Sequence, residues 1–205
     1  MIVAMAVSLR YQYGFRMVPC QGTLDRHNIG GPVTTLRCTA KLLKRLGIGN
    51  PGEPPPPKNI LGDWFANIIY TRQGHYLLLV SERSLLPVLT TARNLHKLEP
   101  RFVSQLADVL SSLGIRQELI EREIALMAPM YYGRTNNRRV LGSLTDLVFL
   151  FKCMLAEDRD LSLIDWSLVL ARTPCSPIGM DRPMNAARRL LENPHGFRVI
   201  DGGGA

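Results

Sequence analysis

Trp64-Phe-Ala-Asn-Ile-Ile-Tyr-Thr71, Arg72-Gln-Gly-His75 and Tyr76-Leu-Leu-Leu-Val-Ser81 decide the fold class. Two runs rich in β-branched, aromatic and aliphatic residues flank a short polar segment, and Gly74 supplies the backbone freedom a tight connection needs, so the stretch reads as a β-hairpin. Setting Thr71 opposite Tyr76 pairs Ile69 with Leu78, Asn67 with Val80 and Phe65 with Glu82. Side chains alternate across a strand, so Asp63, Phe65 and Asn67 then share a face with Val80, Glu82 and Ser84. The register gathers two carboxylates and an amide at one end of a hairpin that is apolar on both faces. Helices must therefore cover at least one of those faces.

Working outward, Leu85-Leu-Pro-Val-Leu-Thr-Thr91 is a candidate third strand that Pro87 confines to an edge or a bulge. Upstream, Val33-Thr-Thr-Leu-Arg-Cys38 is β-branched and strand-like, and Thr39 is placed to cap a helix from Ala40 to Leu46 that Gly47 ends. Gly49-Asn-Pro-Gly-Glu-Pro-Pro-Pro-Pro57 is a loop of polyproline character. Beyond Arg93 the period becomes helical. One helix carries Phe102, Leu106, Val109 and Leu110 up to Gly114, and a second carries Leu119, Ile120, Ile124 and Met127 up to Pro129. Further helices are expected from Ser143, from Asp160 to Arg172 and from Met184 to Asn193. Strands first and helices after give an α+β fold, with a small antiparallel sheet (the hairpin plus one or two strands) packed against four to six helices.

The chain divides into residues 1–32, a poorly ordered extension without sustained periodicity; residues 33–174, a single α+β domain; and residues 175–205, a C-terminal helix and flexible tail ending in Asp201-Gly-Gly-Gly-Ala205. With 205 residues, 46% of them hydrophobic and 20% charged, it is long enough to bury a sizeable core, which excludes disorder of the whole. Twenty-five basic against 17 acidic residues give a net charge of +8. Residues 33 to 60 hold five basic residues against Glu53 alone, and Lys41, Lys44 and Arg45 share one short helix, a surface suited to an acidic protein or a nucleic-acid backbone. Cys20, Cys38, Cys153 and Cys175 show no C-x-x-C spacing and no nearby His pair, so reduced thiols in a cytoplasmic protein are expected, with Cys153 buried on its helix and no metal site or cofactor. No segment reaches the roughly 18 apolar residues of a membrane span.

No phosphate-loop, dinucleotide-fingerprint, zinc-protease or nucleophile-elbow motif occurs, so chemistry must be sought in scattered groups. The richest stretch is Gly133-Arg-Thr-Asn-Asn-Arg-Arg-Val-Leu-Gly-Ser143, which leads into the apolar run through Phe151. Here Ser143 with Asp146 three residues on reads as a capping box, and Gly142 allows the chain to turn in. Ahead of it Arg134, Thr135, Asn136, Arg138 and Arg139 offer guanidinium forks and amides that can grip a phosphate or carboxylate; a solvated turn is the competing reading. Asp63 beside Glu82 is the carboxylate pair that can split into acid and base or hold a divalent cation, and structural ion pairing is its competitor. His75 sits at a hairpin tip, and Trp64 with Tyr131 and Tyr132 can stack a base or fill a core.

Leu36-Arg-Cys-Thr-Ala-Lys-Leu-Leu-Lys-Arg-Leu46, Gly62-Asp-Trp-Phe-Ala-Asn67, Ser81-Glu-Arg83 and Thr135-Asn-Asn-Arg-Arg-Val-Leu-Gly-Ser-Leu-Thr-Asp146 together resemble a family of bacterial domains of unknown function, over roughly Val33 to Pro174. The family pattern carries Ser where this chain has Arg139. The resemblance implies a domain starting at the Val33 strand, with the first 32 residues an upstream extension and Val33 a candidate initiator. It implies no activity, but it falls on the two segments chosen above, Asp63 to Asn67 and Arg134 to Ser143, which are expected to adjoin in one polar groove. The expected function is a small binding or regulatory module that engages an acidic protein, a nucleotide or a nucleic acid through Asn67, Arg134, Thr135, Asn136, Arg138, Arg139 and Ser143. The alternative is a hydrolytic or metal-assisted enzyme using Asp63 and Glu82, with Arg138 stabilising developing negative charge. A third reading is that these polar groups tie loop to sheet.

Overall fold

The computed structural model describes residues 34–52, 54–157 and 160–194. The expected N-terminal extension, the Val33 start and the Gly-rich tail lie outside the described residues. Among those described, five strands form one sheet: β1 (Thr34–Cys38), β2 (Trp64–Tyr70), β3 (His75–Ser81), β4 (Pro87–Thr91) and β5 (Met130–Arg134), in the order β4-β3-β2-β1-β5. Six α-helices accompany them: α1 (Ala40–Leu46), α2 (Leu98–Ser112), α3 (Gln117–Ala125), α4 (Arg138–Leu155), α5 (Leu163–Ala171) and α6 (Pro183–Glu192). The fold is α+β. The expected antiparallel hairpin and its third strand are β2, β3 and β4, but the sheet is larger than expected and mixed, because β1 runs parallel to both β2 and β5.

The hairpin register differs from expectation by two residues. Tyr70 faces His75, Asn67 faces Leu78 and Phe65 faces Val80, while Thr71 N–H donates to the Gly74 carbonyl and the Thr71 hydroxyl closes the turn on that same oxygen. The loop keeps four residues, now Thr71 to Gly74, because the strand pairing ends at Tyr70 and His75. A slip of two preserves the faces. It also sets Asp63 against Glu82, whose N–H donates to the Asp63 carbonyl at 2.8 Å.

Alternation splits the sheet between two cores. Leu36, Cys38, Trp64, Ala66, Ile68, Leu77 and Leu79 face one side and pack under α1, α2, α3 and α6. The Trp64 and Phe102 rings meet edge to face at 4.8 Å there, a geometry worth about 0.5–1.5 kcal/mol beyond area burial. Trp64, fully buried, is thus a core residue and not a stacking platform. Phe65, Ile69, Leu78, Val80 and Leu89 face the other side and pack under α4 and α5. Edge strand β4 is shielded, since Leu89 N–H donates to the Ser167 hydroxyl of α5 at 2.9 Å.

Helix α4 begins six residues earlier than a Ser143 cap would place it. Asn137 is the N-cap, accepting from Arg139 N–H at 3.1 Å and Val140 N–H at 3.3 Å. An Asx side chain one turn ahead of the apolar stripe satisfies the orphan donors first, so Ser143 and Gly142 lie inside the helix. The reciprocal capping box belongs instead to Ser162 and Asp165 at the start of α5. The buried stripe of α4 is Val140, Ser143, Leu144, Leu147 and Phe151. Cys153 therefore lies about 200° round from Phe151 and is exposed, not buried as expected. The described cysteines, Cys38, Cys153 and Cys175, are free thiols, and burial pushes the Cys38 thiol up to about 12. No helix among the described residues is long and apolar enough to cross a membrane.

Candidate functional site

Strand β1 alternates Leu36 and Cys38 toward the first core with Thr35 and Arg37 toward the α4 side. That puts a guanidinium, 5% exposed, inside the sheet, where desolvation is tolerable only with partners. Asp63, 1% exposed, supplies them at the start of β2. Its Oδ2 accepts from Arg37 Nε at 2.7 Å and its Oδ1 from Thr35 N–H at 3.0 Å. The carboxylate thereby continues the β1–β2 ladder where the backbone pairing ends. Arg37 also donates to the Arg134 carbonyl of β5 at 3.4 Å, so one side chain links three strands. Gly133 on β5 lies against this cluster, and a Cβ there would stand 2.9 Å from Thr35 Cγ2 and 3.7 Å from Pro54 Cγ of the proline-rich loop.

Glu82 is half-buried, its Oε2 3.4 Å from the Asp63 N–H. Burial, and then the charge of Asp63, raise its proton affinity. Beside it Arg83 donates to the Asn59 and Ile60 carbonyls. Fully buried Glu123 of α3 accepts from Asn59 Nδ2, Ile60 N–H and Leu61 N–H at 2.8–2.9 Å. Glu123 thus pins the segment that follows the proline loop. The sequence reading missed Arg37, Asn59 and Glu123. A charged residue on the inward alternation of an otherwise β-branched strand was the one local signal, for Arg37.

The carboxyl ends of β1 and β5 lie side by side, with Cys38 opposite Arg134. From them the chain leaves in opposite directions: α1 covers the first core and α4 the second. Adjacent parallel strands whose following helices take opposite faces leave a crevice at their carboxyl ends, the usual ligand position in such sheets. Here the crevice is a cleft of about 430 Å³ lined by Cys38, Ala40, Leu43, Lys44, Ile48, Gly49, Arg134 and Thr135. Ala40, Leu43 and Ile48 give it an apolar wall. Lys44 and Arg134 are exposed at it, and neither has an acidic partner among the described residues.

The expected binding residues divide. Arg134 and Thr135 line this cleft. Asn136 is exposed in the link to α4, and Arg138 and Arg139 are exposed in its first turn, which contains no acidic residue. Asn67 of β2 accepts from the Thr39 hydroxyl at 3.0 Å. Ser143 is elsewhere, on a separate cleft of about 270 Å³ against the Thr173–Ser176 turn. Tyr131 and Tyr132 are half-buried in β5, and His75 is exposed with its ring 4.7 Å from Tyr70. Among the described residues, no three His, Cys, Asp or Glu side chains are placed to share a metal ion.

A family model described as a domain of unknown function (DUF6933) matches residues 35–186, and the chain belongs to that family. No curated protein and no solved structure matches the chain.

Proposed function

We propose that this member of the family is a binding module for a small phosphate- or carboxylate-bearing ligand of about nucleotide size, held in the cleft between α1 and the end of β5. The observation that carries the reading is a pair of cations, Lys44 and Arg134, exposed beside an apolar wall with no carboxylate partner among the described residues. The cleft volume falls within the range of small-molecule sites. Arg138 and Arg139 add to this reading. They do not line the cleft themselves but stand in the first turn of α4, where the positive helix end disfavours cations by about 0.3–1 kcal/mol each, so a ligand anion extending from the cleft to that turn would relieve the repulsion. The Arg134 guanidinium suits bidentate recognition, and Lys44 contributes a movable point charge.

The test is calorimetric titration of the purified full chain with adenosine and guanosine monophosphates, diphosphates and inorganic phosphate, alongside a single-stranded oligonucleotide. Arg134→Ala and Lys44→Ala should each weaken nucleotide binding at least tenfold, with no change in thermal stability. Binding only of the oligonucleotide, with a salt slope reduced by Arg138→Ala and Arg139→Ala, would replace this reading with a nucleic-acid surface. No binding of either would remove it.

One observation favours the hydrolytic or metal-assisted alternative: the raised proton affinity of Glu82 beside Asp63, a pattern of general acids. Against it, both Asp63 oxygens are engaged by β1. Magnesium or manganese heats abolished by Glu82→Ala would support this alternative, and flat titrations would end it.

A further inference from the structure

The cleft that holds Ser143 has a character opposite to the first. Ser143 and Asp146, one turn apart on α4, face Thr173, Cys175 and Ser176, and Leu147, Leu150, Pro174 and Met180 complete the lining. Its polar groups are three hydroxyls, one thiol and one carboxylate, and no Lys or Arg lines it.

Ser143 points to a ligand. It is 7% exposed, yet its hydroxyl makes no side-chain hydrogen bond among the described residues. Hydroxyls inside helices ordinarily bond the carbonyl four residues back, and Thr145 and Ser167 do so at 2.9 and 2.7 Å. Ser143 instead lines the cleft with its donor and acceptor capacity unspent. Asp146 likewise makes no side-chain hydrogen bond or ion pair among the described residues and is exposed. Its capping role, expected from the sequence, has passed to Asn137. The neighbouring Cys175 thiol is pushed up to about 11, first by burial and then by the Asp146 charge, so it stays neutral near pH 7. Asp146 is then the one charged group of the lining.

We propose that this cleft binds a small organic ammonium ion, whose N–H groups are received by the Asp146 carboxylate and the Ser143 hydroxyl while a short apolar chain lies against Leu147, Leu150 and Met180. An ammonium supplies donors to a lining rich in acceptors and answers its single negative charge, whereas an anion would meet Asp146 unscreened. Met180, 65% exposed at the lip with φ of 60°, gives the apolar chain a polarizable surface that can adapt to its shape.

The test uses the full ¹⁵N-labelled chain titrated with n-butylammonium chloride, with n-butanol and sodium butyrate as matched probes. The expected result is saturable shifts at about millimolar concentration, confined to amides around Ser143, Asp146 and Ser176 and absent with both matched probes. Asp146→Asn should weaken binding at least tenfold and Ser143→Ala about threefold, while Arg134→Ala leaves it unchanged. That last variant separates this site from the anion cleft. Equal shifts with butanol, or ammonium shifts that survive Asp146→Asn, would overturn the proposal, as would the absence of saturable shifts in a chain whose spectrum shows it folded.

Discussion

The Thr39 hydroxyl donates to Asn67 Oδ1 at 3.0 Å, so the side chain standing at the N-cap of α1 is committed to the neighbouring strand instead of to the helix. The position was legible, because Thr before an apolar period reads as a cap, but the bond was not. Thr39→Val removes the donor and leaves Asn67 short of one partner, which should cost about 1 kcal/mol in urea unfolding, whereas Thr39→Ser should be near neutral. Since the hydroxyl does not cap α1, the loss should appear as lower global stability with no loss of helical signal in the native baseline.

Asp63→Ala should be the most damaging single change near the sheet. It leaves the Arg37 guanidinium without the carboxylate that meets it at 2.7 Å and the Thr35 N–H without an acceptor. Breaking a buried pair from one side costs about 3–5 kcal/mol, and denaturant unfolding should show a loss of that size. Asp63→Asn keeps an acceptor for Thr35 and should lose clearly less. Equal losses would mean that the charge of Asp63 matters little to the fold.

Gly133→Ala should destabilise although alanine is the smaller change in most strands. The added methyl would stand 2.9 Å from Thr35 Cγ2, and both residues are buried. Overpacking of this kind costs about 1–3 kcal/mol, measurable as a lower Tm. An unchanged Tm would show that β5 can move away from β1 freely.

Glu82 gives the fold a specific pH response. Its folded proton affinity is raised above the ordinary value of 4.5 by burial and by Asp63. The folded state therefore holds the proton more tightly than the unfolded chain. That contribution is fully present below pH 4.5 and is lost as pH rises through the folded value. Glu82→Gln, which never ionises, should match the parent near pH 4 and become the more stable of the two by pH 7. Parallel denaturation curves across that range would contradict the assignment.

The local parts of this fold were readable because their signals are local. The Thr34–Cys38 strand, the α1 helix closed by Gly47, and the two strands around Gly74 each declare themselves within a few residues. What failed depended on competition or distance. Ser143 with Asp146 satisfies the capping-box pattern as well as Ser162 with Asp165 does, and Asn137, six residues earlier, decides against the former. The hairpin slipped by two because period-two alternation fixes faces but not pairing. Strand β5 was missed altogether. Met130-Tyr-Tyr-Gly-Arg134 is short and carries a Gly, and its partner lies near the other end of the domain. With β5 unseen, the crevice beside Arg134 was invisible too, even though Arg134 and Thr135 had been singled out for their chemistry.

Strand β1 is the first strand in sequence among the described residues, yet it sits inside the sheet, between β2 and β5. Strands β2, β3 and β4 join over short turns, so they can assemble early, whereas β1 gains its second neighbour only when Met130 reaches Thr34. Pulse-labelled amide exchange during refolding should accordingly protect Leu78 well before Leu36. The cleft proposed to hold an anion lies at the carboxyl ends of β1 and β5, the pairing expected to form last, so binding competence should arrive as the closing event of folding. By the same ordering, a fluctuation that frees only the β5 edge would silence the site while most of the sheet remains intact.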